Sequence, residues 1–507
     1  MSRTSSSIRN LKFALVGQIT GIILNFFARQ VFVVYLSTEY LGLSGLFSDI
    51  LTVLSVAELG IGSAIVFSLY KPIAHNDIEE IKSLMRLFKV VYRIIGVVVL
   101  AAGCALTPFI GVFVEETPDI PNIRIFYLMC VANASISFFY TYKRSLIIAN
   151  QKHYVTTLYH SITFIILTIT QIFTLILTGN FYLFLGLRVA ASLLENILLS
   201  RKANIMYPYL KDTHIIPMPD ETSKTIKKNV LATICHNIGG IVVNGTDNLL
   251  LAGLAGLNEV GLYSNYILIT QGLNTVIKAL FQSIIASIGN LNAKKNETGK
   301  IETVYRLNFA GAWISGFSSV CLWVLLNPFI EIWLGAEYLF TSTIVFWIVV
   351  NFYVSGMRCS VLAVRDAMGL YWHDRYKPIA EALINLIVSI ILGRKIGVTG
   401  IFIGTFISTI ATCFWVEPFV LFKRGFNAPV AEYFMRYAMY TTVTLIAAAS
   451  TVFLCEFVHM QGLLGFVIKI VICIITPNMI YISAYHKSAE FHYFIELVSK
   501  ILRSGLK

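Results

Sequence analysis

The sequence predicts an all-α polytopic membrane protein with about 14 transmembrane helices, in two pseudo-symmetric six-helix bundles plus two extra C-terminal helices. Three observations predict this fold: the composition, recurring apolar runs, and an internal repeat. Of the 507 residues, 57% are hydrophobic and only 13% are charged, and the mean hydropathy is +0.75. Because soluble domains carry about 25% charged residues, this chain has too little charge to be covered by water.

Apolar runs long enough to cross a hydrocarbon core of about 30 Å recur along the whole chain. Very short connections separate the fifth from the sixth run and the eleventh from the twelfth. We predict fourteen spans near residues 11–36, 43–70, 88–114, 123–149, 155–178, 181–201, 229–254, 260–289, 306–330, 339–366, 377–395, 399–422, 433–455 and 461–485.

The distribution of basic residues orients these spans. If the N-terminus is cytoplasmic, inner segments hold 30 of the 39 Lys and Arg residues, whereas outer loops hold only Arg124, Arg394 and Lys395. This positive-inside bias predicts that both termini are cytoplasmic. The net charge of +12 is then explained by topology and by contact with anionic membrane lipids, and we expect no nucleic-acid partner.

Several site classes have no signature in the sequence. The apolar run from Leu11 to Leu36 is too long for the core of a cleavable signal peptide. Eight cysteines are scattered singly, without a CxxC pair or Cys/His ligand spacing, so we expect neither disulfides nor a metal site. No P-loop for nucleotides is present either, and we expect no cofactor.

Two inner segments have amphipathic patterns. Residues 76–90 place Ile78, Ile81, Met85 and Phe88 on one face, and the tail does the same with Phe491, Phe494 and their helical neighbours. Both patterns are typical of helices lying in the inner membrane interface. A helix packed on the protein is the alternative, and it has more weight for residues 76–90 than for the tail.

The two halves of the chain repeat at a spacing near 219 residues. Gly42 matches Gly261, and the segment that begins at Pro108 matches the segment that begins at Pro328. Parallel repeats of this kind are related by an axis along the membrane normal, with substrate sites between the halves. We therefore expect an N-terminal six-helix bundle (1–205), a cytoplasmic linker (206–228), a C-terminal six-helix bundle (229–424), two added helices (425–485) and a cytoplasmic amphipathic tail (486–507).

Four segments carry a family resemblance that spans nearly the whole chain: YLGLSGLFSDIL, AELGIGSAIVFSLYKP, DNLLLAGLAGLNEVGLYSNY and NPFIEIWLGAEY. Together they resemble the polysaccharide-repeat-unit flippases, the Wzx-type members of the multidrug/oligosaccharidyl-lipid/polysaccharide exporter superfamily. The resemblance implies two bundles around a central cavity lined mainly by the first, second, seventh and eighth spans. It also implies a bacterial cytoplasmic-membrane flippase whose cargo, an undecaprenyl-pyrophosphate-linked oligosaccharide, reaches the outer leaflet by alternating access.

Four charged residues inside the apolar runs are the main candidates for substrate binding in that cavity. By the repeat, Arg29 and Asp247 lie at similar depth, and Glu58 and Lys278 lie about 12 Å deeper. An ionisable side chain at mid-membrane costs about 2.5–3.5 kcal/mol, so it normally faces a partner or water. We expect Arg29 and Lys278 to bind pyrophosphate, and Glu58 or Asp247 to release it or to couple transport to a proton or sodium gradient.

Further candidates are weaker, and a structural interpretation accompanies each. Asn25 could bind sugar and Arg358 could reach the cavity, while Arg188 and Glu195 fit an interhelical pairing better than a ligand site. All four central charges could equally be ion pairs that hold the bundles in register. Ser48, Thr52 and Ser55 form with Glu58 a polar face that suits either close helix packing or a wet cavity.

Two other functions are compatible with a polytopic chain. An ion-coupled multidrug exporter of the same superfamily is the first, although such proteins usually have twelve spans and acidic cavities. A membrane-embedded polysaccharide polymerase is the second, but it needs a large outer loop, and every predicted outer loop here is short. Capsule, O-antigen and other polymers stay open as the product, and a polysaccharide polymerase is a candidate partner.

Overall fold

The computed structural model is helical throughout the residues that it describes. These are 20–21, 23–55, 68–69, 72–73, 75–112, 122–150, 152–212, 247–292, 297–368, 370, 373–374, 376–460 and 462–496. The helices are α1 (Ile23–Tyr35), α2 (Thr38–Leu54), α3 (Ile78–Leu106), α4 (Ile123–Ala149), α5 (His153–Thr178), α6 (Phe181–Met206), α7 (247–255), α8 (Leu257–Asn292), α9 (Glu297–Trp333), α10 (Ser342–Ala367), α11 (Lys377–Ile396), α12 (Val398–Ala411), α13 (Cys413–Phe419), α14 (Ala431–Glu456), α15 (Gly462–Tyr485) and α16 (489–496).

Nine helical segments within the described residues are long and apolar enough to cross a membrane. The chain is therefore a multi-pass membrane protein, as its composition predicted. Each of the fourteen predicted apolar segments also contains at least one described helix. The full count of fourteen crossings stays a prediction, because α1, α2, α7, α8 and α11 are not among those nine segments.

Contacts divide the chain into two compact units, Met1–Gly261 and Leu262–Lys507. In the first unit, α3, α4 and the end of α6 enclose a core around Phe88, Tyr92 and Leu146. Local sequence sets the helix boundaries here. Asp77 caps α3 by accepting a hydrogen bond from the Glu80 amide at 3.0 Å, and Gly179 ends α5 with φ +58°.

The amphipathic segment 76–90 is the beginning of α3 rather than a separate helix in the membrane interface. Ile81, Met85 and Phe88 are buried in the core of the first unit. Lys82 of the same segment pairs with Asp212 at 2.7 Å, which ties the first residues of the predicted linker to α3. The packed alternative is thus the one that this structure supports.

In the second unit, α14 and α15 pack on α9 around Phe309, Tyr440, Tyr481 and Tyr485. The two added helices are therefore integral to that unit. The predicted boundaries of the bundles and linker stay predictions, since most of the linker lies outside the described residues.

The described part of the tail, α16, docks on the protein. Phe491 stacks on Trp313 with ring centroids 5.9 Å apart, and Phe494 lies against Phe309. Two aromatic residues of the predicted apolar face thus pack on the protein, whereas Ile495 of the same face is exposed. The position of the tail in the membrane interface stays a prediction. Residues 497–507 lie outside the described part.

Repeat-related residues meet at a close helix crossing within the first unit. Thr38 Oγ1 donates a hydrogen bond to Asn258 Oδ1 at 2.7 Å, across a sequence separation of 220 residues. A Cβ at Gly42 would lie 2.0 Å from the Leu257 carbonyl oxygen, and a Cβ at Gly261 would lie 2.3 Å from the Thr38 oxygen. Only glycine permits backbones to approach this closely, so the matched glycines of the repeat have a packing reason.

Candidate functional site

The polar face of α2 lines a cavity inside the first unit. Ser44, Ser48, Thr52 and Ser55 border a space of about 330 Å³. These residues recur every three or four positions, which places them on one side of an α-helix. Of the two interpretations of this face, the structure supports a cavity for its described part. Glu58, which extends the same face, lies outside the described residues.

The other walls of the cavity come from α4 and α6. Cys130 and Asn133 face it from α4, and Leu185, Arg188 and Val189 face it from α6. The side chain of Arg188 is exposed, so its guanidinium is accessible from the cavity. Among the lining residues that the structure describes, none is an aspartate or a glutamate. The cavity thus presents one fixed cation and several hydroxyl groups inside an apolar helix bundle.

Arg188 and Glu195 have separate roles, although the sequence suggested one pairing for both. Glu195 forms an ion pair with Arg144 of α4, and its other oxygen lies 3.2 Å from His160 Nδ1 of α5. The interhelical pairing is therefore confirmed for Glu195. Arg188, two turns earlier on α6, lines the cavity instead.

Asn25, Arg29 and Asp247 lie on helices of the first unit. Asn25 is exposed and Arg29 is half-buried on α1, while Asp247 is half-buried at the start of α7. Next to Asp247, the Asn248 amide donates to Asp49 Oδ2 of α2 at 2.5 Å, which fixes the start of α7 against α2. The substrate-binding role of all three residues stays a prediction.

Lys278, the remaining described member of the predicted charge set, lies on α8 in the second unit with an exposed side chain. Its positive charge acts on the Cys359 thiol, which places it near α10. Its predicted role in phosphate binding also stays a prediction.

Arg358 belongs to a buried network of six charges at one end of the second unit. Its guanidinium donates to both oxygens of Glu417, at 3.0 and 2.7 Å, and lies 3.7 Å from Glu381. Lys377 also pairs with Glu417. Arg365 and Asp374 form the remaining pair, and Lys377 lies 3.7 Å from Asp374. Three positive and three negative groups balance here, which supports the structural interpretation of Arg358 over substrate binding.

A second cavity, of about 410 Å³, is an apolar groove in the second unit. Its walls come from α9, α10, α12, α13 and α14, and its aromatic and large aliphatic lining includes Trp323, Phe346, Tyr353, Phe406, Phe414 and Leu445. Phe346 and Leu445 are 44% and 63% exposed, so the groove opens at the surface of the unit. Such a surface suits a hydrocarbon chain.

The sequence did not identify the polar cavity of the first unit as a site, because its walls come from three helices, α2, α4 and α6, that are far apart in the chain. The spacing of Ser48, Thr52 and Ser55 marked one wall. Arg188 itself was visible as an intramembrane cation, but nothing in one sequence shows which face of α6 points to α2.

Comparison with known proteins gives a fold but no sequence family. No protein-family model matches the chain, and no curated protein matches its sequence. Among solved structures, the chain is similar to the lipid II flippase MurJ in its inward closed conformation (17% identity, 94% of this chain and 99% of that chain, TM-score 0.67).

Two further similarities are to transporters of the MOP superfamily. One is a multidrug resistance MATE family transporter in its inward-facing conformation (13% identity, 80% of this chain, 98% of that chain, TM-score 0.62). The other comes from Pyrococcus furiosus, and the reverse polarity of its binding pocket suggests a different function for it (15% identity, 82% of this chain, 94% of that chain, TM-score 0.59). The chain has the fold of MOP superfamily transporters.

Proposed function

We propose that this protein is a flippase that moves an undecaprenyl-pyrophosphate-linked oligosaccharide repeat unit from the cytoplasmic to the outer leaflet in surface polysaccharide biosynthesis. The observation that carries the proposal is a cation-bearing polar cavity inside a multi-pass helical protein with this transporter fold. The lipid II flippase MurJ has a similar fold, so this fold is compatible with a lipid-linked cargo.

A lipid-linked sugar is amphipathic, and the protein offers surfaces suited to both of its parts. The hydroxyl and guanidinium groups of the first unit suit a hydrated, anionic headgroup. The apolar groove of the second unit suits part of an isoprenoid chain, because its lining is almost entirely hydrocarbon and aromatic. These features support a lipid substrate over a purely hydrophilic one.

The four repeat-related charges supply a testable mechanism. Arg29 and Lys278 are the proposed cations for the pyrophosphate, and Glu58 and Asp247 are the proposed groups for its release or for coupling to a proton or sodium gradient. Asn25 is a proposed contact for sugar. Arg358 is a poor candidate because Glu417 and Glu381 already occupy its guanidinium.

An ion-coupled multidrug exporter is the second candidate, since MATE transporters share the fold. A cationic drug would need a carboxylate to bind in an apolar environment. The described cavity of the first unit offers an arginine and no carboxylate. This polarity favours an anionic cargo and a flippase over an exporter of cationic drugs.

The test is a complementation experiment in a strain that depends on this protein for its surface polysaccharide. We expect Arg29→Ala and Lys278→Ala to abolish polymer at the cell surface while membrane insertion stays normal. Arg394→Ala, which removes an exposed cation in the last turn of α11, is the matched control and should retain polymer. Normal polymer from both Arg29→Ala and Lys278→Ala would contradict the proposed role of these two residues. If deletion of the whole protein causes drug sensitivity without loss of polymer, the multidrug exporter is favoured.

A further inference from the structure

Arg188 differs from Arg144 and Arg358, two other arginines that the structure describes within the apolar helices. Arg144 pairs with Glu195, and Arg358 pairs with Glu417. Arg188 has no ion pair with any residue that the structure describes, and its side chain is exposed at the cavity in the first unit. An arginine at this depth costs several kcal/mol to insert, so an unpaired one is a functional candidate.

Depth supports the same conclusion. Arg188 lies seven residues after the start of α6 at Phe181, which is about 10 Å along the helix axis. Ser48 and Asn133 are each ten residues from the starts of α2 and α4, which is about 15 Å. Three neighbouring helices thus direct polar side chains into one cavity well inside the apolar part of the unit.

The cavity combines donors for an anion with an acceptor for a hydroxyl. The Arg188 guanidinium and the hydroxyls of Ser44 and Ser48 can donate, and the described residues that line the space include no carboxylate to neutralise them. At Asn133, the side-chain oxygen Oδ1 is buried and accepts no hydrogen bond from any described residue. Because buried polar atoms normally have partners, this oxygen is suited to a hydroxyl group of a bound sugar.

We propose that this cavity is an oxyanion subsite for a sugar-bearing substrate, with Arg188 as its binding cation. The oxyanion is either the pyrophosphate of the lipid carrier or the carboxylate of an acidic sugar, since a guanidinium fork binds both by two parallel hydrogen bonds. The inference rests on the proposed function, because it assigns the headgroup of that cargo to one unit of the protein.

The test measures binding to the purified full-length protein in lipid nanodiscs. The probes are farnesyl pyrophosphate, farnesol, and a glucuronate-containing disaccharide. The variants are Arg188→Gln, Arg188→Lys and Arg201→Gln, the last being an exposed arginine on the same helix that does not line the cavity. Thermal unfolding of each variant is measured in parallel.

We expect Arg188→Gln to weaken binding of the anionic probe by about tenfold or more, since charge-assisted hydrogen bonds are lost. The lysine variant should recover part of the affinity, and Arg201→Gln should bind like the wild type. Loss of farnesyl pyrophosphate binding identifies the carrier phosphate as the oxyanion, whereas loss of glucuronate binding identifies the sugar carboxylate. Unfolding temperature should not fall in Arg188→Gln, because no described ion pair is broken.

Equal binding by Arg188→Gln and the wild type would overturn the subsite and leave the flippase proposal standing. The subsite is equally overturned if the wild type binds no anionic probe but still supports polymer export in cells. Failure of the wild type in both the binding and the complementation experiments would remove the proposed function itself.

Discussion

At the scale of single residues, the intramembrane charges fall into two groups with different energetics. Glu417 is 1% exposed and receives hydrogen bonds from both Arg358 and Lys377. A charge so deeply buried is tolerable only with such partners, because desolvation of an isolated carboxylate costs several kcal/mol. Arg188, by contrast, is left accessible. The buried group supports the fold, and Arg188 is the cation that we propose for substrate binding.

This distinction predicts an asymmetric effect of substitution in the buried network. Glu417→Gln should destabilise the protein by about 3–5 kcal/mol, because it leaves Arg358 and Lys377 without their main counter-charge. Arg358→Met combined with Glu417→Met should be less destabilising than Glu417→Gln alone, since both members of one pair are removed together. Unfolding in detergent measures both. A Glu417→Gln variant as stable as the wild type would contradict the structural role.

The sequence shows which charged residues lie within apolar runs, but it does not show which residues on other helices they contact. Glu195 was expected to make an interhelical pair, and it does so with Arg144 and His160. The seven-residue spacing places Arg188 on the same helix face as Glu195. Arg188 nevertheless lines the cavity with residues of α2 and α4, whereas Glu195 pairs with residues of α4 and α5. Which helix lies opposite is a tertiary property that one sequence does not encode locally.

At the scale of helices, α2 crosses the start of α8 in a tight contact between residues that the predicted repeat relates. Thr38 and Asn258 are hydrogen-bonded, and Gly42 and Gly261 bring the backbones together. In an alternating-access cycle, contacts at one end of the helices must form and break. The structure shows this crossing in close contact.

A cysteine pair tests this crossing directly. In a cysteine-free background, Thr38→Cys with Asn258→Cys should form a disulfide readily on oxidation, because the two native side chains are 2.7 Å apart. Adding Gly42→Val should reduce that cross-linking strongly, since even its Cβ would collide with the Leu257 carbonyl. Adding Gly111→Val is the control, because nothing lies within 4 Å of a Cβ there. Unchanged cross-linking in the Gly42→Val protein would contradict the tight crossing.

Docking of α16 on the second unit makes a second prediction for an element. Phe491→Ala with Phe494→Ala should destabilise the second unit by about 2–4 kcal/mol, because two rings leave the cluster around Trp313 and Phe309. Proteolysis of the tail in membranes should become faster. His492→Ala, on the exposed side of the same helix, should have little effect. If the double variant resists protease like the wild type, the docked arrangement is incorrect.

The existence of the helices could be predicted from the sequence, whereas the surroundings against which each helix packs could be predicted only in part. Hydropathy predicts spans well because every backbone polar group in lipid must be satisfied within a helix. An amphipathic pattern, however, shows only that one face of a helix packs against apolar material. For residues 76–90 and 489–496 that material includes other helices of the protein. The same Ile, Met and Phe side chains would pack equally well against lipid.

At the scale of the whole molecule, the chain resolves into two units, each with its own kind of cavity. The first unit offers polar groups around a cation, and the second offers an apolar groove. The sequence predicts a repeat between the two halves, and that repeat stays a prediction. The chemical difference between the two cavities, and the separate roles that we propose for the two units, required the positions of the side chains.

Translocation of a lipid-linked oligosaccharide by the purified protein in liposomes is the measurement that tests the flippase proposal most directly. A fluorescent isoprenyl-pyrophosphate oligosaccharide is placed in both leaflets, and a membrane-impermeant glycosidase is added outside. We expect protein-containing liposomes to expose nearly all of the substrate to the glycosidase, whereas protein-free liposomes should protect about half. Protection of that half in the presence of a correctly folded wild-type protein would contradict the flippase function.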